Sequence, residues 1–297
     1  MTAEFGYKTP TGRIVLNDGG LIQKFEAHLE AATNAYPGRL MIRGTTDNDV
    51  KVADGLHPVA GVLGYEHAGI GDRVASITTI YPVDANVPIL KGHFPLYIPS
   101  GLTAGTYLTK DDAVVTWIDG KVVPGYVSGG KVAIKVPFKD SSGNPASTGI
   151  VFPAGMRITD CLVECTAGNG AYTISVGFPT GESGSATGFL NAESLAALGF
   201  ATHNLVDGTV GNITLGSYLA EDTIRADSSG NYAAIRKTYL TDGTSKTLSY
   251  TTTAHPTLAG YIYIFVESPG VELLGKALAT IDATLATKGV FVDVLEV

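Results

Sequence analysis

The chain contains few charged residues, and its basic residues are not concentrated in any segment. Charged residues make up only 16% of the sequence, whereas hydrophobic residues make up 44%. This balance argues against a disordered chain, which carries more charge and fewer apolar side chains. The formal net charge is −8, and the 20 Lys and Arg residues are scattered. Nucleic acid is therefore not an expected partner, because it is bound by clustered cations.

Segments that direct a chain into or across a membrane are also lacking. No apolar run reaches the length of about 18 residues that a membrane-spanning helix needs. The N-terminal segment MTAEFGYKTPTGRIV has no basic start followed by an apolar run, so no signal peptide is predicted. We expect no membrane partner and a protein that is made and initially kept in a cytoplasm.

Cysteine is scarce, and the two cysteines cannot form a disulfide with each other. Cys161 and Cys165 lie in the run ITDCLVECT, which has the composition of a strand. Four residues of strand separate two Cα atoms by roughly 13 Å, whereas a disulfide needs about 4.4–6.8 Å. The sequence therefore predicts two small apolar side chains in a core strand and no disulfide framework.

No residue pattern in the sequence indicates catalysis, a metal or a cofactor. The segment Asp47–Asp49 resembles the start of a calcium loop, but the sixth and twelfth loop positions hold Val52 and Pro58 instead of glycine and glutamate. No G-x-S-x-G sequence occurs. The six histidines lack metal-binding spacing and are far apart: His28, His57, His67, His93, His203 and His255. We therefore predict that the protein is not an enzyme and needs no cofactor.

Carboxylates also lack the arrangement of a glycosidase. Such enzymes hold two carboxylates roughly 5–10 Å apart. Glu164, Glu182 and Glu193 are present, but no pattern pairs them. An assay of the purified protein on polysaccharides tests this prediction.

The sequence is rich in turns and in short alternating runs, which predict an all-β fold. Its 37 glycines show no G-X-Y period and therefore mark turns. In Pro88–Gly125, the alternation of Phe94, Leu96 and Ile98 predicts short strands separated by turns, and Asp119-Gly120 is a hairpin signal. These features are typical of a small β-barrel.

The segment 21–35, LIQKFEAHLEAATNA, fits two patterns. A helix would place Leu21, Phe25, Leu29 and Ala32 on one face. A strand would place Phe25, Ala27, Leu29 and Ala31 on one side and Lys24, Glu26, His28 and Glu30 on the other. The second pattern has a true period of two, and we predict a strand with His28 on its solvated face.

Two domains are predicted from the length and from one polar segment. Residues 139–149, KDSSGNPASTG, have no apolar periodicity and form the predicted boundary. We assign 1–145 to an N-terminal arm and a small β-barrel, and 150–268 to a β-sandwich of jelly-roll type. The tail, residues 270–297, either completes the first domain or stands apart from it. A short helix is predicted for Asn191–Gly199, with an asparagine cap and a glycine stop.

Several segments resemble capsid decoration proteins, also called structural cement proteins, of tailed bacteriophages. In the first domain and tail the resemblance is carried by YPGRLM (36–41), VKVADG (50–55), VAGVLGY (59–65), ANVPIL (85–90) and LGKAL (274–278). In the second domain GFL (188–190) and GYIYIFV (260–266) resemble β-sandwich modules of phage head and fibre proteins. The resemblance covers most of the chain, but its motifs are loose signals of glycine, proline and alternation.

The resemblance implies a structural protein of the virion without catalytic residues. Members bind the outer surface of the major capsid protein shell, commonly as trimers at local threefold positions, and extra domains point outward. The expected location is the capsid surface, after assembly in the host cytoplasm. The apolar and basic side chains of the arm, Phe5, Tyr7 and Lys8, are the predicted contacts with the capsid or a neighbouring copy; packing of the arm on its own domain is the alternative.

A second hypothesis is a head-fibre or tail-fibre module that binds host glycans. Sugar sites combine exposed aromatic rings with carboxylates or amides, and the available rings are Tyr172, Phe178, Tyr218, Tyr232 and Tyr250. Aromatic residues on strands are, however, more often core or cross-strand pairs. The major shell protein itself is not favoured, because its long spine helix has no counterpart in the sequence.

Overall fold

A computed structural model of the protein describes residues 14–15, 21–65, 74, 76–128, 131–201, 215–219, 225–226, 232–233, 238–282 and 288–295. The fold of these residues is all-β, which confirms the predicted class, and they contain no α-helix. The chain divides into two compact units. Unit 1 consists of Met1–Val132 together with Ser268–Val297, and unit 2 of Ala133–Glu267.

Unit 1 is built from strands at both ends of the chain. Its strands are β1 (Leu21–Leu29), β2 (Leu40–Arg43), β3 (Asp49–Val52), β4 (Val59–Leu63), β5 (Asn86–Leu102), β6 (Tyr107–Leu108), β7 (Ala113–Thr116) and β8 (Val122–Ser128). Strands β9 to β19 follow in unit 2, where β9 (Lys131–Lys139) begins at the boundary. The chain then returns to unit 1 with β20 (Leu273–Ala277), β21 (Ile281–Asp282) and β22 (Lys288–Val294).

Strand β5 organises unit 1. We predicted several short strands in this region, but 17 residues form one continuous strand. Gly92 has a φ of +116°, a conformation that glycine adopts without steric cost, so the strand changes direction there without ending. The first half of β5 pairs with β1, and the second half pairs with β22.

Strand pairings in unit 1 form two closed circuits that share β5. The first circuit runs β1–β3–β2–β4–β5 and closes by the pairing of β5 with β1. The second runs β5–β22–β20–β7–β8 and closes by one parallel contact, Leu102 opposite Val122. Closed pairing leaves no free edge along a circuit. The finer assignment of unit 1 as a β-barrel stays a prediction.

The described residues of unit 1 form two buried apolar clusters, and strands β2 and β4 contribute to both. The first cluster includes Leu29, Met41, Leu63, Val87 and Ile89. The second is larger and contains side chains from the chain end as well as from the middle, among them Phe94, Leu96, Leu274, Val290 and Val292. Because β22 supplies part of the second core, the tail is an integral part of unit 1.

Two local predictions for unit 1 are confirmed. Residues 21–29 form a strand in which Ala27 and Leu29 are buried while Lys24 and Glu26 are exposed. Asp119 and Gly120 both have positive φ, +59° and +61°, and they lie in the 3₁₀ turn Ile118–Gly120 between the paired strands β7 and β8. Two successive positive φ values are what a tight hairpin turn requires.

The boundary between the units differs from the predicted one. We predicted a junction at residues 139–149, but this segment connects β9 to β10 (Ala146–Phe152) inside unit 2, and the division lies between Val132 and Ala133. Polar turn residues mark any connection between strands, so composition alone did not distinguish a hairpin-like turn from a linker. Residues 268–297 belong to unit 1.

Unit 2 contains two four-stranded arrangements. Its remaining strands are β11 (Arg157–Ala167), β12 (Thr173–Gly177), β13 (Leu190–Ser194), β14 (Gly199–Phe200), β15 (Arg225–Ala226), β16 (Tyr232–Ala233), β17 (Tyr239–Leu240), β18 (Lys246–Thr252) and β19 (Ala259–Glu267). One arrangement has the order β9–β19–β11–β14, and the other has the order β10–β18–β12–β13. A ring contact of 6.1 Å joins Phe138 on β9 to Tyr250 on β18. The jelly-roll assignment stays a prediction.

The predicted helix at Asn191–Gly199 is wrong. Leu190–Ser194 form β13, which pairs with the edge of β12, and Ala192 has a φ of +55°, which a right-handed helix excludes. A helix of this length is marginal by itself, so pairing with an available strand edge outweighs the cap signals. None of the helical turns in the described ranges is long and apolar enough to span a membrane.

Candidate functional site

The predicted contact residues Phe5, Tyr7 and Lys8 lie outside the described residues, as does the rest of the arm up to residue 13. The structure does describe the point where the arm is attached. Ile14 is buried in the second core of unit 1, and its carbonyl accepts a 2.6 Å hydrogen bond from the backbone N–H of Tyr97. Val15 forms a β-bridge with Leu96. The arm is therefore attached to the middle of β5.

A cavity of about 350 Å³ in unit 1 contains a buried cation. Its lining consists of Asn34, Tyr36, Arg39, Thr78, Pro99, Ser100 and Lys121. The turn Tyr36-Pro37-Gly38 delivers Arg39 just before β2, where the residue is only 3% exposed. Gly38 has a φ of +87°, and a Cβ there would lie 3.0 Å from the Tyr97 carbonyl oxygen. Glycine thus permits the close approach that places Arg39 beside β5.

The Arg39 guanidinium has few polar partners. Its Nη1 donates a 3.2 Å hydrogen bond to the carbonyl of Ser100, and its Cζ lies 5.5 Å from the centre of the Tyr36 ring. Nε is buried and has no hydrogen-bond partner. In the part of the chain that the structure describes, no carboxylate forms an ion pair with this guanidinium. Arginine has five N–H donors, so most of them have no acceptor among the described residues.

The charges around the cavity favour an anion. Burial lowers the pKa of Arg39 from its ordinary value to about 10, while the nearby negative charge of Asp119 opposes that shift. The side chain therefore remains a cation at neutral pH. Lys121 also lines the cavity and lies 3.8 Å from the Asp119 carboxylate. Two cations and one neighbouring carboxylate leave a local excess of positive charge in a chain of net charge −8.

A second cavity, of about 320 Å³, has no such excess of one charge. It lies along β1 and β3 and is lined by Arg43 and Lys91 but also by Glu26, Asp47 and Asp49. Lys91 lies over the ring of Phe25, 5.7 Å from its centre. The predicted solvated residue His28 is half-buried nearby, with Nδ1 at 3.1 Å from the Asp49 carboxylate.

The aromatic residues of the glycan hypothesis are not brought together on one surface. Phe178 is fully buried in a cluster of aromatic rings, and the hydroxyl of Tyr250, itself buried, accepts a hydrogen bond from the Lys139 N–H. Tyr218 stacks on Tyr239 with a centroid distance of 4.0 Å. Tyr172 is half-buried against His255. The side chain of Tyr232 lies outside the described residues.

The three glutamates considered for catalysis lie in different surroundings. Glu164 accepts a 2.5 Å hydrogen bond from the Tyr263 hydroxyl, and Glu182 accepts a 2.6 Å bond from the backbone N–H of Thr247. Glu193 is buried on β13. Across the described ranges, no three His, Cys, Asp or Glu side chains are grouped closely enough to hold a metal ion.

Cys161 and Cys165 are both free and buried on β11, as predicted. Burial raises the pKa of both thiols, and the thiolate is the reactive form. We expect no measurable reaction with a thiol reagent at pH 8 in the native protein and two equivalents after denaturation in guanidinium. Rapid labelling without denaturant would show that β11 is accessible and contradict this prediction.

No family model and no curated protein matches this chain. The sequence segments 36–41 and 85–90 that carry the resemblance to decoration proteins lie around the Arg39 turn and in the first half of β5. Sequence reasoning did not identify Arg39 as a buried cation, because a single arginine next to a strand is normally exposed.

Proposed function

We propose that this protein is a decoration protein of a tailed-bacteriophage capsid, which binds the outer surface of the major capsid protein and stabilises the shell without catalysis. The observation that carries the proposal is the attachment of the arm at Ile14 and Val15 to β5. Ile14 and Val15, which follow the predicted contact residues in the sequence, are therefore held on a strand that pairs with several others.

This attachment suits adhesion between neighbouring subunits. A segment fixed at one end to a rigid body has a high effective concentration near the body's neighbours. Many weak contacts on a symmetric shell then add up to strong binding. In the proposed assembly the protein is a homotrimer on the capsid surface of the virion, formed in the host cytoplasm, and Phe5, Tyr7 and Lys8 contact the shell or a neighbouring copy.

In this proposal unit 1 binds the capsid and unit 2 is an additional domain. The tail is consistent with that role of unit 1, because its strands belong to unit 1. The strands of the tail, β20 and β22, complete the second closed circuit of unit 1. We propose that unit 1 is the small β-barrel and that unit 2 is the outward β-sandwich. A glycan-binding role for unit 2 has less support, since Phe178 and Tyr250 belong to its core.

Deletion of residues 1–10 is expected to weaken binding to undecorated heads by roughly tenfold or more, because each copy loses its additional points of contact. Co-sedimentation of purified protein with heads measures the binding. Ile14 and Val15 remain in this variant, so we expect its circular dichroism spectrum and Trp117 fluorescence to stay unchanged.

Alanine at Phe5, Tyr7 and Lys8 together should reproduce most of this loss. The matched control places alanine at Thr2, Thr9 and Thr11 and should bind as the original protein does. Failure of the full chain to co-sediment with heads would refute the proposed function. Loss of folding on deletion would instead mean that the arm packs on its own unit.

A further inference from the structure

The Arg39 cavity combines a buried cation with few polar partners among the described residues. A buried guanidinium is costly unless it is paired and hydrogen-bonded, and Arg39 donates a single hydrogen bond, to Ser100. Its Nη1 is used in that bond. Nε, on the other edge of the planar group, has no acceptor.

Packing around the Arg39 guanidinium includes one aromatic ring among the described residues, that of Tyr36. The ring–cation distance of 5.5 Å is near the outer limit of about 6 Å for such contacts. The burial cost of the charge is therefore poorly compensated by the described residues. An oxyanion would supply both the missing acceptors and the missing counter-charge.

We propose that the cavity lined by Arg39 and Lys121 binds a small oxyanion, either a carboxylate or inorganic phosphate. The guanidinium is the principal donor, and the Lys121 ammonium is the second cation. Ser100 and Thr78 also line the cavity. A volume of about 350 Å³ lies within the usual range of about 300–1,000 Å³ for small-molecule sites.

Asp119 competes with the proposed ligand for the Lys121 ammonium. Its carboxylate attracts Arg39 and lies 3.8 Å from the Lys121 ammonium, so it competes with an incoming anion for the second cation. On binding, Lys121 would exchange Asp119 for the ligand. This exchange predicts that Asp119→Asn strengthens anion binding, and weaker binding in that variant would contradict the exchange.

The test uses the full chain and the only tryptophan as a local probe. Trp117 is fully buried in unit 1, the same unit as the cavity. Thermal unfolding is followed by tryptophan fluorescence while sodium phosphate or sodium acetate is added, with the ionic strength kept constant by sodium chloride. We expect the midpoint to rise with the logarithm of one plus the ratio of ligand concentration to Kd, because the ligand stabilises only the folded chain.

The two anions identify the source of the ligand. A rise with acetate alone indicates a carboxylate, such as a side chain of a partner, and a rise with phosphate alone indicates the free ion. In Arg39→Met the apparent Kd should be at least tenfold higher than in the original protein. In Lys121→Met it should be higher by a smaller factor. The charge-matched control Lys276→Met, on the exposed side of β20, should behave as the original protein.

The same measurement gives a clear negative result. Phosphate and acetate also stabilise proteins without binding, through exclusion from the surface, and such a rise follows no Kd and is equal in all variants. Equal rises in the original protein and in Arg39→Met would overturn the proposal, as would no rise with either anion. If Arg39→Met does not fold, Arg39→Lys and Lys121→Met replace it, and binding equal to that of the original protein in both would overturn it. The proposal does not depend on the capsid-binding function.

Discussion

Removal of residues 288–297 is expected to unfold unit 1 and to leave unit 2 folded. The deleted strand β22 pairs with both β5 and β20 and contributes Val290, Phe291, Val292 and Val294 to the buried core. Burial of one such side chain stabilises a fold by roughly 1.5–3 kcal/mol. The four together amount to about 6–12 kcal/mol, which is comparable with the whole stability of about 5–15 kcal/mol of a typical domain.

Each unit carries its own probe for this experiment. The only tryptophan, Trp117, is buried in unit 1, while both cysteines are buried in unit 2. We expect the deletion to shift Trp117 emission to that of a solvated indole and to remove its cooperative unfolding transition. Cys161 and Cys165 should stay protected from a thiol reagent, because their strand is paired within unit 2.

Deletion of residues 296–297 alone is the matched control, since it leaves β22 complete. This shorter deletion should keep the original emission spectrum and unfolding midpoint. Native Trp117 fluorescence after the longer deletion would mean that β22 is dispensable, and exposure of both cysteines would mean that unit 2 depends on unit 1. Either result would contradict the division of the chain into two compact units.

Local alternation in the sequence was sufficient to predict the fold class and several strands. In residues 21–29 the pattern of two favoured a strand over a helix, and the structure follows it most clearly at the end of β1, where Ala27 and Leu29 are buried and Glu26 is exposed. The hairpin at Asp119-Gly120 was also predictable, since few residue pairs tolerate two successive positive φ values. These features are encoded within a few residues of each other.

Long-range pairing could not be read from the sequence in the same way. Gly92 and Pro95 are normally signs of a strand end. Strand β5 nevertheless continues through both, because its first half pairs with β1 and its second half pairs with β22. The cap signals around residues 191–199 were likewise overridden by the open edge of β12. In both places the deciding partner is distant in sequence, so the local pattern gave the wrong element.

The Arg39 cavity was hidden from sequence analysis for a related reason. Its lining residues come from the turn before β2, the second half of β5, the region around Thr78 and the hairpin after β7. Its two cations, Arg39 and Lys121, are far apart in the sequence, so no short motif contains both. In the sequence, Arg39 is indistinguishable from an ordinary surface arginine. The arm residues were selected on composition, and their contacts stay a prediction.

Phe178→Ala is expected to lower the free energy of unfolding of unit 2 strongly. The ring is fully buried, and its centre lies 5.0 Å from that of Phe189 and 5.7 Å from that of Phe152. Truncation of a buried phenylalanine costs about 3–5 kcal/mol, because a cavity remains. The lost edge-to-face contacts add about 0.5–1.5 kcal/mol for each pair.

The expected result is a fall of about 10–20 °C in the midpoint at which Cys161 and Cys165 become reactive. Thiol labelling at increasing temperature measures this midpoint for unit 2, while Trp117 fluorescence should report an unchanged midpoint for unit 1. Phe178→Leu keeps most of the volume and should cost clearly less. Leu198→Ala, at a position that is 60% exposed, should shift the midpoint hardly at all.

The comparison of these three variants separates packing from exposure. If the cluster around Phe178 is the core of unit 2, Leu198→Ala has the highest midpoint of the three variants, Phe178→Leu an intermediate one and Phe178→Ala the lowest. A midpoint for Phe178→Ala within two degrees of the original would show that the aromatic cluster contributes little to stability.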